Sequence, residues 1–274
     1  MSREYEILKY THDMHPESHF HEYYEIFISL CNEGKLFVKE KGYSLKFGMV
    51  FFLSPLEIHR CFCHGNKNYD RYVIHFTQEF LQSISTERTD LVSFFNALPL
   101  ALQMQSDEIA QTLEQLSRLT QEVGDGFAAD VERHIDFSKF LLTMARVAEQ
   151  KEGIQIPTVK SDRRINDVLQ YIHENYNQDI TIDNIAETFF ISKSRLSQIF
   201  KDATGFSVGN YIVTYRIKRA CALLRHGVSV QEAGEQVGFH NSTHFIKMFK
   251  KHTGYSPGKF SKEEQMSFSR RVEP

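Results

Sequence analysis

The strongest constraint on the fold of this 274-residue chain is a segment that occurs twice. Residues 200–207 (FKDATGFS) return 49 positions later as residues 249–256 (FKKHTGYS). Further upstream, Ile182 matches Val230 at an offset of 48. Self-similarity of this kind indicates one structural unit used twice, and the change of offset predicts one extra residue in the turn of the second copy.

The first copy has the pattern of two short helices joined by a tight turn. Thr181 is placed to cap the first helix, and Ser192 is placed to cap the second. In the second helix Leu196, Ile199 and Phe200 recur at helical spacing on one edge, which predicts that this edge is buried.

The second copy repeats this pattern with different residues. Residues 229–232 (SVQE) predict a capping box at the start of its first helix. Gly238 suits a turn that requires a positive φ angle. In the helix that follows, Phe245, Met248 and Phe249 form the apolar edge.

The outward faces of both second helices are short, polar and basic, which suits a helix lying in the major groove of DNA. We expect Ser194, Ser197 and Gln198 to hydrogen-bond base edges, Ile246 to touch a thymine methyl, and the basic side chains to contact phosphates. The predicted DNA-binding set is Ser192, Lys193, Ser194, Arg195, Ser197, Gln198, Lys201, Ser242, Thr243, His244, Ile246, Lys247, Lys250 and Lys251. The alternative is a helical hairpin used only for packing, with these side chains solvated.

A helical segment joins the two copies. Residues 211–225 (YIVTYRIKRACALLR) are long enough for roughly four turns. A helix of that length holds two reading units a fixed distance apart, and major-groove faces recur about every 34 Å along one side of a duplex.

Charge is divided unevenly along the chain. Residues 1–159 carry 15 Lys+Arg against 23 Asp+Glu, a net of -8, whereas residues 160–274 carry 17 against 12, a net of +5. This asymmetry favours a polyanion such as double-stranded DNA as the partner of the second half, although a solvated basic surface has the same composition.

Two further features bear on the compartment. Cys31, Cys61, Cys63 and Cys221 lack the paired spacing of a disulfide framework, and residues 1–10 lack the apolar stretch of a signal peptide. We therefore expect a cytoplasmic protein with no membrane segment.

Residues 168–260 resemble the DNA-binding domain of the AraC/XylS family of transcription regulators. The matching residues are Arg216-Ile217, Ala220, Leu223-Leu224, Val237-Gly238-Phe239, Phe245, Phe249-Lys250-Lys251, Thr253-Gly254 and Ser256-Pro257. Two positions depart from the family pattern. Ala233-Gly234 stands where Ile-Ala is usual, which predicts a looser second unit, and Phe260 stands where Tyr is usual.

The first half of the chain has a different periodicity. Short apolar runs broken by turn formers predict several strands between residues 20 and 76, in a sandwich or barrel. Residues 106–150 change to helical spacing with a break at residues 124–126, and a polar linker follows at residues 151–158. We expect Leu113, Leu116, Leu141 and Met144 to form a dimer interface, with packing inside one chain as the alternative.

A polar cluster stands at the start of the strand region. His19, His21, Tyr23 and Glu25 share one face of a strand if side chains alternate, and His59 follows later. The spacings His19-x-His21-x3-Glu25 and Pro55-x3-His59 resemble the cupin barrel, which serves many AraC-type regulators as their sensor. We expect these five residues to bind a small-molecule effector, with neither a metal ion nor another cofactor and with no catalytic residue.

These interpretations give an α+β chain with three parts. Residues 1–100 are predicted to form a cupin-like effector-sensing β-barrel, residues 101–156 a helical dimerisation segment and linker, and residues 157–274 an all-α domain of two helix-turn-helix units joined by a linker helix. The resemblance implies a homodimeric, ligand-responsive regulator, an activator of carbohydrate-related genes that binds promoter DNA and RNA polymerase, with a sugar as the possible effector.

Three alternatives remain at this point. Three histidines and a glutamate suit zinc, iron or manganese, so a metal-dependent cupin enzyme fused to a DNA-binding domain is the first. The second is a regulator controlled by protein partners alone. In the third the polar cluster is part of the core and binds no ligand.

Overall fold

A computed structural model describes residues 4–11, 20–62, 70–121, 126–151 and 163–261. Among these described residues, the first half contains eight strands and four helices: β1 (Tyr5–Tyr10), β2 (Tyr24–Ser29), β3 (Lys35–Val38), β4 (Lys41–Ser44), β5 (Met49–Leu53), β6 (His59–Phe62), β7 (Arg71–Phe76), α1 (Gln78–Ile84), α2 (Leu91–Ala97), β8 (Ala101–Gln103), α3 (Ser106–Leu119) and α4 (Ala129–Glu149). The second half contains α5 (Arg163–Asn175), α6 (Ile182–Thr188), α7 (Lys193–Thr204), α8 (Val208–Arg225), α9 (Val230–Gln236) and α10 (Ser242–Thr253). The α+β class predicted from the sequence is confirmed.

The strands form two antiparallel sheets packed face to face. The larger has the order β1-β7-β2-β5-β8, and the smaller has the order β4-β3-β6. Phe27 and Phe51 of the large sheet meet Leu36 and Val38 of the small sheet in an apolar core. Strand β8 extends the large sheet just past residue 100, inside the segment that the sequence analysis assigned to helices and linker.

The outer face of the large sheet is covered by α1 to α4. Side chains such as Ile26 and Ile74 leave the strands on this side and pack against the helices. Leu116, Leu141 and Met144, which we expected at a dimer interface, are fully buried there. Because a five-stranded sheet with two apolar faces needs a second layer, these side chains stabilise the single chain.

The second half consists of two helix-turn-helix units on either side of α8. Four residues separate α6 from α7 and five separate α9 from α10, so the predicted extra residue in the second turn is confirmed. Thr181 and Ser192 cap α6 and α7, each by accepting a hydrogen bond from a backbone N–H three residues later. The predicted inward edges, including Leu196 and Phe245, are buried.

The second unit departs from expectation at the start of α9, and one close contact bears on its packing. Ser229 accepts from the N–H of Glu232, but the Glu232 side chain accepts from Gln236 Nε2 at 3.0 Å, so the predicted capping box is only half present. A Cβ added at Gly234 would meet the Phe245 ring at 2.9 Å. The small residue in α9 therefore makes room for a large aromatic in α10. The looser second unit that the sequence suggested stays a prediction.

The outer face of the small sheet packs on the second half of the chain. Phe37 of β3 lies edge-on to Phe206 and Tyr211, with ring centroids 5.7 and 6.2 Å apart. A Cβ on Gly205, the left-handed residue that ends α7, would meet the Phe62 ring at 2.8 Å. The two packed sheets, which we call the barrel, and the first helix-turn-helix unit therefore share one continuous core.

Candidate functional site

Three imidazoles surround one carboxylate oxygen inside the barrel. Oε2 of Glu25 lies 2.8 Å from Nε2 of His21, 3.0 Å from Nε2 of His75 and 3.4 Å from Nε2 of His59. Glu25 and His59 expose only 4% and 3% of their surface. We call these four residues the histidine cluster.

The strand register and one loop position the histidine cluster. Glu25 on β2 is paired directly with His75 on β7, so their side chains leave the sheet on the same side. His59 begins β6 in the opposite sheet. His21 precedes β2, and its carbonyl accepts a 2.8 Å hydrogen bond from the N–H of Leu56, which ties the β5–β6 loop to this end of the barrel.

One prediction about the histidine cluster is wrong, and one of its members was not predicted. His21 and Tyr23 do not share a strand face with Glu25, because β2 begins only at Tyr24; His21 instead reaches Glu25 across an i,i+4 bend. His19 lies outside the described residues. His75 was missed, since a single histidine in an apolar strand gives no sign of its pairing partner.

Glu25 and the imidazoles of His21 and His59 shift one another's pKa. Burial alone would raise the pKa of the Glu25 carboxyl, but the charge of His59 and hydrogen bonds from the three imidazoles hold that pKa well below its usual range. Burial opposes protonation of His59, yet Glu25 outweighs burial and raises its pKa. Burial prevails at His21 and lowers its pKa. Glu25 is therefore an ionised acceptor at the centre of the cluster.

An open cavity of about 250 Å³ adjoins the cluster, and His75 lines both. Tyr23, which is 39% exposed, stands at its rim with its ring centroid 6.1 Å from that of His75. Glu6 is paired with His75 across β1 and β7 and lines the same cavity. Carboxylate, imidazole and phenol groups converge here, which is the kind of lining that orients a small polar ligand.

The predicted DNA-reading residues of α7 are all exposed, from Ser192 to Lys201. Some of these side chains form hydrogen bonds or ion pairs with other residues of the same chain. Gln198 Nε2 donates to both carboxylate oxygens of Asp202 at 2.9 Å, and Lys193 Nζ lies 2.9 Å from Asp183 Oδ2. Asp202, which the sequence analysis did not single out, therefore competes with a base for the Gln198 amide.

The predicted residues of α10 are exposed as well, including Thr243, His244, Ile246 and Lys247. Asn241 caps the helix by accepting from the N–H of His244 at 2.8 Å. Helices α7 and α10, which we call the reading helices after their predicted role, both begin with a side-chain cap. Each presents a polar, basic face on the side opposite its buried aromatic residues.

Arg216 of α8 connects the two units. Its Nε donates to the carbonyl of Tyr176 and its Nη2 to that of Gln178, each at 2.7 Å. The same guanidinium lies 5.8 Å from the centre of the Phe239 ring in the turn of the second unit. Arg216 therefore fixes both units relative to the joining helix.

A sheet domain with a polar, partly enclosed cluster, joined to two helix-turn-helix units with exposed and capped second helices, is the architecture expected of a ligand-responsive DNA-binding regulator. Two family models match the chain, an AraC-like ligand binding domain over residues 3–136 and a helix-turn-helix domain over residues 185–263. The chain belongs to the AraC/XylS family of transcription regulators.

Individual relatives agree with this assignment. The chain is 25% identical over 257 residues to the HTH-type transcriptional activator RhaS of Salmonella typhimurium, covering 88% of this chain and 86% of that protein. It is 38% identical over 102 residues to the Msm operon regulatory protein of Streptococcus mutans serotype c, covering 37% of each. The second match therefore spans about a third of that relative's length.

Solved structures of similar proteins were also found. Fatty acid-bound ToxT from Vibrio cholerae is 15% identical, with a TM-score of 0.41 and coverage of 94% of each chain. The C-terminal domain of AraT from Geobacillus stearothermophilus is 27% identical, with a TM-score of 0.37 over 38% of this chain and 88% of that one.

Among the helices that the structure describes, none is long and apolar enough to cross a membrane.

Proposed function

We propose that this regulator activates transcription when a small polar molecule, with a sugar as the leading class, binds in the barrel. The observation that carries the proposal is the position of the cluster. His59 and Arg60 are consecutive on β6, so one end of this strand contacts both the polar site and the first DNA-binding unit.

The effector site proposed is the histidine cluster together with Tyr23 and the adjoining cavity. Polar groups placed around a partly enclosed volume orient a hydroxylated ligand through hydrogen bonds, and Tyr23 offers a ring face for stacking. The similarity to a protein named as a transcriptional activator supports activation over repression. Activation at a promoter implies contact with RNA polymerase.

On the DNA side, Ser194, Ser197 and Gln198 of α7 are proposed to read bases in one major-groove segment, and Thr243, Ile246 and Lys247 of α10 in the next. Lys193, Arg195, Lys201, Lys250 and Lys251 supply phosphate contacts, so affinity falls steeply as salt concentration rises. When α7 lies in the major groove, a base replaces Asp202 as the hydrogen-bond partner of the Gln198 amide.

We also propose that two copies of the chain form a homodimer. Phe127, Val131 and Ile135, at the start of α4 and just before it, expose 104%, 53% and 46% of their surface. Apolar side chains so close together and so exposed suit the contact between two copies in a homodimer.

Genome-wide mapping of the sites bound by the full-length protein tests the function, combined with reporter assays of the neighbouring promoters. The proposal expects a small number of promoter sites sharing one sequence motif, and transcription from them that depends on the protein. Uniform, motif-free binding, or bound promoters that do not respond, would contradict it. The genes beside the sites also indicate which sugars or related molecules to test.

A further inference from the structure

The turn of the first helix-turn-helix unit carries an exposed aromatic side chain in a left-handed conformation. Phe190, between α6 and α7, has a φ angle of 54° and exposes 95% of its surface. A bulky residue is rare at such a φ angle, because its Cβ comes too close to the following carbonyl oxygen. Glycine adopts the same conformation without this contact. The turn therefore carries a large apolar side chain at a position where the backbone favours glycine.

The second unit shows what the same turn needs for folding. Gly238 stands 48 positions after Phe190, with a φ angle of 85°. The N–H of Phe190 donates to the carbonyl of Glu187 at 3.1 Å, and the N–H of Gly238 donates to that of Glu235 at 3.0 Å. A Cβ at Gly238 would meet the backbone oxygen of Asn177 at 2.9 Å, so the second turn is covered by the chain. The first turn is open, and its fold does not require an aromatic residue.

A shallow hollow of about 470 Å³ adjoins this exposed ring. It is lined by Asp183, Ala186, Glu187, Phe190, Ile191 and Lys193, and we call these six residues the Phe190 patch. Lys193 Nζ lies 2.9 Å from Asp183 Oδ2, but both side chains are exposed, so this ion pair is weak. Asp183 and Glu187 against Lys193 give the patch a net charge of -1, although residues 160–274 carry a net of +5.

The composition of the Phe190 patch favours a protein partner over DNA. Only Lys193 among its residues belongs to the predicted DNA-binding set, and its two carboxylates repel phosphates. Exposed aromatic side chains are typical anchors of protein interfaces, where charges of opposite sign orient the partner. The matching partner surface carries an apolar side chain next to a lysine or arginine.

We propose that the Phe190 patch binds RNA polymerase, through a segment that places an apolar side chain on the Phe190 ring and a cationic side chain beside Glu187. This inference rests on the proposed activator function, because RNA polymerase is the protein that an activator meets at a promoter. The predicted base-reading residues Ser194, Ser197 and Gln198 do not line the patch. The regulator can therefore bind DNA and RNA polymerase at the same time.

Phe190→Gly tests the role of the ring. It introduces the residue that the second unit has at the equivalent position, so the full-length variant is expected to fold, with no loss of Tm and unchanged promoter affinity. RNA polymerase purified from the same organism is titrated onto a fluorescent fragment of a mapped promoter, with and without the regulator. Wild-type protein is expected to increase the affinity of polymerase for the fragment. Phe190→Gly is expected to reduce that increase at least about fivefold, since couplings between two bound partners are typically about 5–150-fold.

Glu187→Gln and Glu235→Gln form a matched pair for the charge. Both remove one exposed carboxylate at equivalent positions of the repeat, so their effects on DNA affinity are expected to be alike. Only Glu187→Gln is expected to reduce the increase in polymerase affinity. Equal increases with the two variants would overturn the role of the charge in this inference.

Three other outcomes would also overturn the inference. A full increase in polymerase affinity with folded Phe190→Gly would show that the ring does not bind polymerase. Weaker promoter binding by Phe190→Gly without polymerase would assign the ring to DNA, and altered self-association in ultracentrifugation would assign it to a second copy of the chain. A wild-type protein that binds its promoters but never increases polymerase affinity or transcription would contradict the activator function as well, which separates the two failures.

Discussion

His59 and Arg60 are neighbours on β6 whose side chains leave the strand on opposite sides. His59 Nε2 lies 3.4 Å from Glu25 Oε2 inside the barrel, whereas the Arg60 guanidinium lies 5.9 Å from the centre of the Phe206 ring in the DNA-binding half. Alternation along a strand therefore places the polar site and the interface one residue apart. Because β6 contacts both the polar site and the first helix-turn-helix unit, a ligand that moved β6 would act on that unit directly.

The His59→Ala, Glu25→Ala double variant tests this link. We expect it to abolish the change in DNA binding and transcription caused by an effector, while DNA affinity without effector stays nearly unchanged. An effector shifts a regulator between two states only as far as it binds one of them better, typically by about 1–3 kcal/mol. DNA binding and reporter activity are measured with and without the effector identified from the target genes. A full response in the double variant would place the sensor elsewhere.

Gly205 and Gly254 form a matched pair for the interface. Both end reading helices with left-handed φ angles, 76° and 80°, but a Cβ at Gly205 meets Phe62 and Arg60 within 2.9 Å, whereas a Cβ at Gly254 meets nothing within 4 Å. Each Gly→Ala change costs about 1–2 kcal/mol of backbone strain. We expect Gly205→Ala to lose more stability than Gly254→Ala and to increase hydrogen exchange in β6. Equal losses and unchanged exchange would show that the barrel does not press on α7.

A second glycine pair tests the packing of the second unit. Gly234 in α9 has the Phe245 ring 2.9 Å from an added Cβ, while Gly209 in α8 has open space around it. Gly234→Ala is expected to destabilise by about 1–3 kcal/mol through overpacking, whereas Gly209→Ala is expected to stabilise by about 0.4–1 kcal/mol. Denaturant unfolding measures both. Stabilisation by Gly234→Ala would mean that α9 and α10 are loosely packed after all.

The exposed apolar residues at the start of α4 give a prediction about assembly. The Val131→Glu, Ile135→Glu double variant is expected to convert a dimer to a monomer, because charges on both sides of a twofold contact repel and lose their solvation. Analytical ultracentrifugation of the full chain measures the change. Arg146→Glu, at an exposed position further along the helix, serves as the control. A wild-type chain that is monomeric at tens of micromolar would contradict the dimer.

Much of the DNA-binding half is predictable from sequence because its signals are local. Thr181, Ser192 and Ser229 cap helices as expected, and the extra residue of the second turn follows from two offsets. The position of His75 was not predictable, because it depends on β2 and β7 pairing 50 residues apart in the chain. Helices α1 and α2, only seven residues each, gave too short a periodic pattern to detect.

The sequence of β3 contains a pattern that indicates the interface between the barrel and the DNA-binding half, and the sequence analysis did not use it. Leu36, Phe37 and Val38 are apolar without a break, and such a strand is covered on both faces. Leu36 and Val38 face the large sheet, and Phe37 faces Phe206. The element that covers the second face is determined by long-range packing. The pattern of one strand cannot predict which element that is.

Base reading by α7 is the central step proposed for DNA recognition, and two substitutions on that helix test it directly. Binding of the full-length Gln198→Ala and Lys201→Ala proteins is measured on a mapped site and on its set of single base-pair changes. Gln198→Ala is expected to lose about 1–3 kcal/mol of discrimination at one base pair, whereas Lys201→Ala is expected to weaken binding to all sequences alike and to reduce the salt dependence. Equal, sequence-independent losses in both variants would contradict base reading by this helix.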